Sequence, residues 1–191
     1  MYICRFFLFF VYRFKCIGKE NIPRDGGCIL ALNHRSYLDV VLAGMTCPRK
    51  INYMAKSELF KNKLFGAFIT AFGAFPVHRG TGDVGAIKSA LAKLNAGHMV
   101  LIFPEGRCVR NPAEEKTTRA KPGAVMLAQT AGVPIVPAYI SGKIGLWRKI
   151  TLKYGEPIYY DEYKGEKLSV AQLQELSDEL IKNIRSLRVE R

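Results

Sequence analysis

A chain of 191 residues, 49% hydrophobic and 24% charged, has the material for one globular domain with a sizeable core and is too apolar to be disordered. Its formal net charge of +13 selects anionic partners, whether nucleic acid, an anionic membrane surface or phosphorylated ligands. The cysteines (4, 16, 28, 47 and 108) include no Cys-x2-Cys pair, which argues against a zinc site and a disulfide framework and fits a reducing compartment.

Residues 1–17 are apolar and aromatic, but Arg5 and Arg13 bracket a core too short for the roughly 20 residues a spanning helix needs. A signal peptide would need a longer apolar region and a small-residue cleavage site. Two readings stay open: a helix packed on the domain, or an aromatic helix in a membrane interface with its basic residues at the headgroups. Aromatics on nearly every side favour the interfacial helix. Residues 18–191 form the domain. Gly18 to Gly27 reads as loop, and Cys28–Leu32 is an apolar run short enough for a buried strand.

The next residues are Asn33-His34-Arg35-Ser36-Tyr37-Leu38-Asp39, after which Leu38, Val41, Leu42 and Met45 recur at helical spacing. The segment thus sits at a strand-to-helix turn, a usual ligand position in α/β proteins. On one continuous helix, side chains five residues apart diverge by roughly 140°. His34 and Asp39 therefore meet only if His34 lies in the turn and Asp39 in the first helical turn. Ser36-x-x-Asp39 supplies a helix start, with Ser36 as N-cap and Asp39 at N3. A carboxylate there can hold one imidazole nitrogen and leave the other as a base. The plainer alternative is a helix cap beside an ordinary loop histidine.

Further on, Ile51–Ala55 reads as a second strand, and Lys56-Ser57-Glu58-Leu59 as the start of a short helix. Residues 59–70 suggest a helix with one apolar face. Ala74–Val77 is an edge-like strand, since Pro76 removes a ladder donor. His78–Asp83 is a glycine-rich turn carrying Arg79 into a helix with Val84, Ile87, Leu91 and Leu94, a sensible phosphate site. Met99–Phe103 is a buried-strand pattern running into Pro104-Glu105-Gly106-Arg107, followed by a long charged loop. Lys121-Pro122-Gly123 opens a small-residue helix through Ala131. Strands follow at 133–140 and 150–154. Ser169-x-x-Gln172 is a capping box before a C-terminal helix with a leucine and isoleucine stripe. The alternation predicts a single α/β domain, a central mixed sheet flanked by helices. Three polar clusters, His34/Asp39, Arg79 and Glu105/Arg107, each follow a predicted strand and can converge on one crevice.

His34-x4-Asp39 and Phe103-Pro104-Glu105-Gly106-Arg107 together resemble the 1-acylglycerol-3-phosphate acyltransferase family. Lys56-Ser57-Glu58-Leu59, Phe75-Pro76-Val77-His78-Arg79 and Val133-Pro134-Ile135-Val136-Pro137 resemble its other blocks, in the family's order. The resemblance covers roughly residues 20–140. It implies acyl transfer from an acyl-CoA or acyl carrier protein thioester to the hydroxyl of lysophosphatidic acid, with no metal or other cofactor. On that analogy His34 is the general base and Asp39 orients it, while backbone N–H groups at the helix start receive the oxyanion. Arg79 and Arg107 bind the phosphate with help from Lys56 and Lys121, and Glu105 and Gly106 shape the pocket. One departure stands out: the family usually has a threonine between that glycine and the arginine, and here Arg107 follows Gly106 directly. An anionic phospholipid membrane is the implied partner and its cytoplasmic face the implied location, the protein resting on one leaflet, with no nucleic acid. Glycerol 3-phosphate or another lysophospholipid is the alternative acceptor. A non-catalytic module for anionic membranes or nucleic acid would explain the charge but not the ordered blocks. A serine hydrolase and a P-loop enzyme lack their motifs, Gly-x-Ser-x-Gly and Gly-x4-Gly-Lys-Ser/Thr.

Overall fold

The computed structural model describes residues 13–77, 84–142, 147–163 and 165–190. In chain order these give β1 (Arg13–Ile17), β2 (Cys28–Leu32), α1 (Leu38–Thr46), β3 (Ile51–Lys56), α2 (Lys63–Ala71), β4 (Ala74–Val77) and α3 (Val84–Asn95). The second half adds β5 (Met99–Ile102), α4 (Pro112–Thr117), α5 (Gly123–Ala131), β6 (Ile135–Ser141), β7 (Lys149–Tyr154) and α6 (Val170–Ser186). The strands form one mixed sheet ordered β1-β7-β6-β2-β5-β3-β4. β6 and β7 are antiparallel, and every other neighbouring pair is parallel.

Every residue of β2 is buried, because helices cover both faces of the sheet. Its period-2 alternation divides the core. Ile29 and Ala31 pack with Leu94 of α3, Val125 and Leu127 of α5, and Leu180 and Ile184 of α6. Cys28, Leu30 and Leu32 pack on the other face with Leu42 and Ala43 of α1. Connection handedness accounts for the division. The β2-α1-β3 and β3-α2-β4 crossovers step toward the β4 edge, whereas β4-α3-β5 and β5-α5-β6 step back. Right-handed crossovers then put α1 and α2 on one face, α3 and α5 on the other.

Two expectations change. Arg13–Ile17, grouped above with the N-terminal apolar segment, is a strand paired with β7. Arg13 and Lys15 point out while Phe14 and Cys16 pack on the core, a two-residue alternation that suits a sheet edge. Residues 1–12, the remainder of that segment, lie outside the described residues. The charged loop after β5 contains a helix, α4, started by the Asn111 side chain accepting from the Ala113 N–H. The edge position of β4 and the Ser169/Gln172 capping box agree with expectation. Among the described residues, no helix is long and apolar enough to cross a membrane.

Arg49 holds the sheet's N-terminal edge. Its guanidinium donates to the carbonyls of Pro23 (2.8 Å), Gly26 (2.6 Å) and Gly97 (2.8 Å), joining the lead-in to β2 with the turn before β5. Arg49→Met is expected to cost about 2 kcal/mol in urea unfolding, since three carbonyls lose a charged donor. The His34/Asp39 turn lies at the opposite sheet edge and should be unaffected.

Candidate active site

β2, β3, β4, β5 and β6 all run in the same direction, so their C-terminal ends share one sheet edge. After β2 the chain goes to α1 on one face. After β5 it goes to the face carrying α5. The β2/β5 boundary is therefore a topological switch point, where the loops diverge and leave a crevice.

His34, 7% exposed, sits at that point. Its Nδ1 lies 3.1 Å from Asp39 Oδ2. The same oxygen accepts the N–H groups of Arg35 (2.6 Å) and Ser36 (2.7 Å). A carboxylate on Nδ1 fixes the proton there and leaves the lone pair on Nε2. The imidazole stacks on Phe103, with ring centroids 4.0 Å apart. Both backbone groups of His34 are held by the loop after β5: its N–H donates to Glu105 Oε2 (2.8 Å), and its carbonyl accepts from the Val109 N–H (2.7 Å). From the β6 side, Asn33 brackets Ile140, accepting its N–H (2.8 Å) and donating to its carbonyl (3.4 Å).

The helix start differs in detail from the expected capping box. α1 begins at Leu38, and Ser36 Oγ accepts from the Leu38 N–H (3.2 Å). Asp39 reaches back to Ser36 as expected of the acidic partner, but from one residue nearer the helix start. The N–H groups of Arg35 and Ser36 are committed to Asp39 and that of Leu38 to Ser36. These three are not available as oxyanion donors, contrary to the expectation for this helix start.

A profile described as Acyltransferase matches residues 13–141. A 1-acyl-sn-glycerol-3-phosphate acyltransferase of Bacillus subtilis is 34% identical over 178 residues, covering 89% of this chain and 87% of that protein. One of Streptococcus pneumoniae is 32% identical over 77% of this chain and 56% of its own length. The crystal structure of a 1-acyl-sn-glycerophosphate acyltransferase, PlsC, from Thermotoga maritima superposes with a TM-score of 0.67 at 26% identity, covering 97% of this chain and 76% of that one. The chain belongs to the 1-acyl-sn-glycerol-3-phosphate acyltransferase family.

Within that family frame, His34, Asp39 and Glu105 meet directly at the crevice. Gly106, with φ of 67°, makes the turn after Glu105, and a Cβ there would lie 2.6 Å from Cδ and Cε of Lys121. Lys121 thus lies across the Glu105-Gly106 turn, and its N–H donates to the Pro104 carbonyl (2.7 Å). Lys56 is exposed at the end of β3 on the same sheet edge. Arg107 is exposed on the loop, paired with Glu114 at 2.5 Å. Arg79 lies outside the described residues, two positions beyond the end of β4.

Several contributors escaped the sequence reading. Phe103 stacks on the His34 imidazole from within a motif already singled out. Asn33 shares that fate beside His34. Buried Glu115 accepts from Tyr139 Oη (2.6 Å), and Arg185 of α6 donates to the carbonyls of Lys116 and Thr118. No local pattern announces those partners, which come from β6 and from the far end of the chain. Among the described residues, no group of His, Cys, Asp and Glu is arranged to hold a metal ion.

Burial pushes the Glu105 carboxyl up to about 7 from an ordinary 4.5, opposed by the His34 N–H and aided by nearby Glu115. The folded state therefore holds this proton more tightly than the unfolded chain. The associated stability is full below about pH 4.5 and is lost as pH rises through about 7. Glu105→Gln keeps an acceptor for His34 and removes the titration. The stability of the parent relative to this variant should fall between pH 4.5 and 7 by up to about 3 kcal/mol, read from urea unfolding at both ends.

Proposed function

We propose that the protein transfers a fatty acyl group from an acyl-CoA or acyl carrier protein thioester to the free hydroxyl of 1-acyl-sn-glycerol 3-phosphate, giving phosphatidic acid. The observation that carries this reading is the 3.1 Å contact between His34 Nδ1 and Asp39 at the switch-point crevice, in a chain of this family. Nε2 of His34 takes the hydroxyl proton as the oxygen attacks the thioester carbonyl. The tetrahedral intermediate collapses, the C–S bond breaks, and the imidazolium returns the proton to the leaving sulfur. An alcohol is a poor nucleophile without a base, whereas a thioester is already activated, so the reaction needs neither a metal nor an enzyme nucleophile. Asp39 holds the ring in the working tautomer and stabilises its positive charge.

The acceptor's phosphate is assigned to Arg79 and Arg107, with Lys56 and Lys121, because planar guanidinium groups suit phosphate oxygens. Lys121 already lies over the Glu105-Gly106 turn, whereas Arg107 must exchange Glu114 for the phosphate. Glu105 and Gly106 shape the pocket beside it. The protein works as a peripheral enzyme at the cytoplasmic face of an anionic phospholipid membrane, where cysteines without a disulfide framework fit a reducing compartment.

The test is formation of labelled phosphatidic acid from lysophosphatidic acid and each thioester, separated by thin-layer chromatography. His34→Ala should lower turnover by about 10²- to 10⁴-fold with an unchanged circular dichroism spectrum. Turnover at the parent rate in the folded variant would remove His34 as the base. Asp39→Asn keeps an oxygen for the three donors now on Oδ2 but removes the charge and puts an amide NH2 where Oδ1 is buried without a partner, so it should be slow and also somewhat less stable.

Arg79→Ala is expected to raise KM for the phosphorylated acceptor more than for the acyl donor. A rise confined to the donor would reassign Arg79 to the donor's site.

A further inference from the structure

Helix α2 wears its apolar stripe on the outside. Only Gly66 and Ile69 of the helix are buried. Phe65, Phe68 and Phe72 fall on one stripe at helical spacing, joined by Leu64, and all four are exposed, Leu64 at 86% and Phe68 at 59%. The rings form a continuous apolar surface, with centroids 6.5 Å apart for Phe65 and Phe68 and 4.8 Å for Phe68 and Phe72. Gly66 lets the helix settle closely on the preceding 3-10 turn, since a Cβ there would meet the Phe60 backbone at 3.2 Å. The inner side of α2 is thus built for packing against the domain, and the aromatic stripe is a separate feature.

The neighbouring helix on the same sheet face repeats the arrangement. α1 exposes Tyr37, at 79%, at its N-cap and Leu38 and Val41 on its outer side. Tyr37 also meets the His34 ring edge-on, with centroids 6.4 Å apart. An exposed aromatic on this face therefore stands at the mouth of the crevice. Around the N-terminal end of α2, Lys56, Lys61 and Lys63 are exposed, just past the C-terminal end of β3 at the active-site edge.

We infer that the α1/α2 face docks on an anionic lipid bilayer, with Phe65, Phe68 and Phe72 inserted among the acyl chains and Lys56, Lys61 and Lys63 at the headgroup phosphates. Exposed aromatics with a basic rim match both layers of such a surface: the rings replace contact with water by contact with hydrocarbon, and the lysines meet anionic headgroups. The inference rests on the proposed acyl transfer for one point, why this face adjoins the crevice: an acceptor whose chain stays in the bilayer reaches His34 without leaving it. It differs from anchoring by residues 1–12 alone, because here the folded domain itself inserts.

The test uses the full chain and its Phe65→Glu/Phe68→Glu variant, floated with vesicles of phosphatidylcholine and phosphatidylglycerol without substrate. Partitioning of the variant should fall on the order of tenfold or more, with residues 1–12 still present. Its turnover on a short-chain, water-soluble lysophosphatidic acid should match the parent's. In a second measurement, Phe68→Trp in a Trp147→Phe background, the chain having a single tryptophan, should be quenched by lipids brominated on their acyl chains. Flotation of the glutamate variant equal to the parent, or an unquenched indole in floated protein, would overturn the inference. So would a glutamate variant that changes oligomeric state or loses thermal stability, since the stripe would then be covered by protein. Flotation lost as expected in a protein inactive on every acceptor would leave the docking face standing and sink the proposed reaction.

Discussion

One carboxylate oxygen, Asp39 Oδ2, accepts from the imidazole of His34 and from the N–H groups of Arg35 and Ser36. Helix start and ring orientation are therefore a single interaction. Two of the donors are backbone groups at the N-terminal end of α1, where the helix dipole favours negative charge. They hold the carboxylate independently of the ring, so the oxygen facing Nδ1 is positioned by the helix start itself. The other oxygen, Oδ1, is buried with no hydrogen-bond partner among the described residues. Such a group is expensive to keep, and the three donors on Oδ2 offset that cost.

That pair needs a fixed platform, and the sheet provides it from both sides of β2. Asn33 locks the end of β2 to β6, while Glu105 and Val109 lock the peptide of His34 to the loop after β5. The loop is long enough to wander on its own. It is pinned from the opposite face, by Tyr139 on Glu115 and by Arg185 on the carbonyls of Lys116 and Thr118. A helix near the C-terminus thus sets the position of the segment carrying Arg107 and Lys121, roughly 70 positions earlier. The burial that raises Glu105 belongs to the same closure, because the carboxyl lies under the loop it helps to hold.

The features legible in the sequence are those whose cause is local. β2 and β5 read as buried strands because apolar runs of five or fewer residues are too short for most helices. α6 read correctly because its capping box and its stripe agree. His34 and Asp39 met as expected because a strand-to-helix turn lets residues five apart face each other, which one continuous helix would not. What remained hidden depends on partners far away. Whether Arg13–Ile17 pairs with β7 is settled by residues more than a hundred positions on. The availability of the N–H groups after His34 turned on which of them Asp39 would take. Tyr139 and Glu115, each unremarkable in its own segment, matter only once β6 and α4 lie side by side.

The direction of α2's apolar stripe is the sharpest case. A periodicity of 3.6 residues predicts a helix with one apolar face, and the usual corollary is that this face turns inward. Here the inward contact is made by Gly66 and Ile69, and the helix needs little more because it flanks the sheet near its β4 edge and packs on a short 3-10 turn. Periodicity fixes which residues share a stripe, but the choice between core and surroundings depends on what the neighbours already fill. Three phenylalanines left outside cost solubility in water and gain in hydrocarbon. The same face carries Tyr37 up to the edge of the His34 ring, so exposed apolar side chains stand beside the crevice as well as on α2. In the proposed reaction, a histidine poised at the rim of an apolar face suits an acceptor that is itself half hydrocarbon, with its hydroxyl and phosphate at the polar border and its chain on the apolar side.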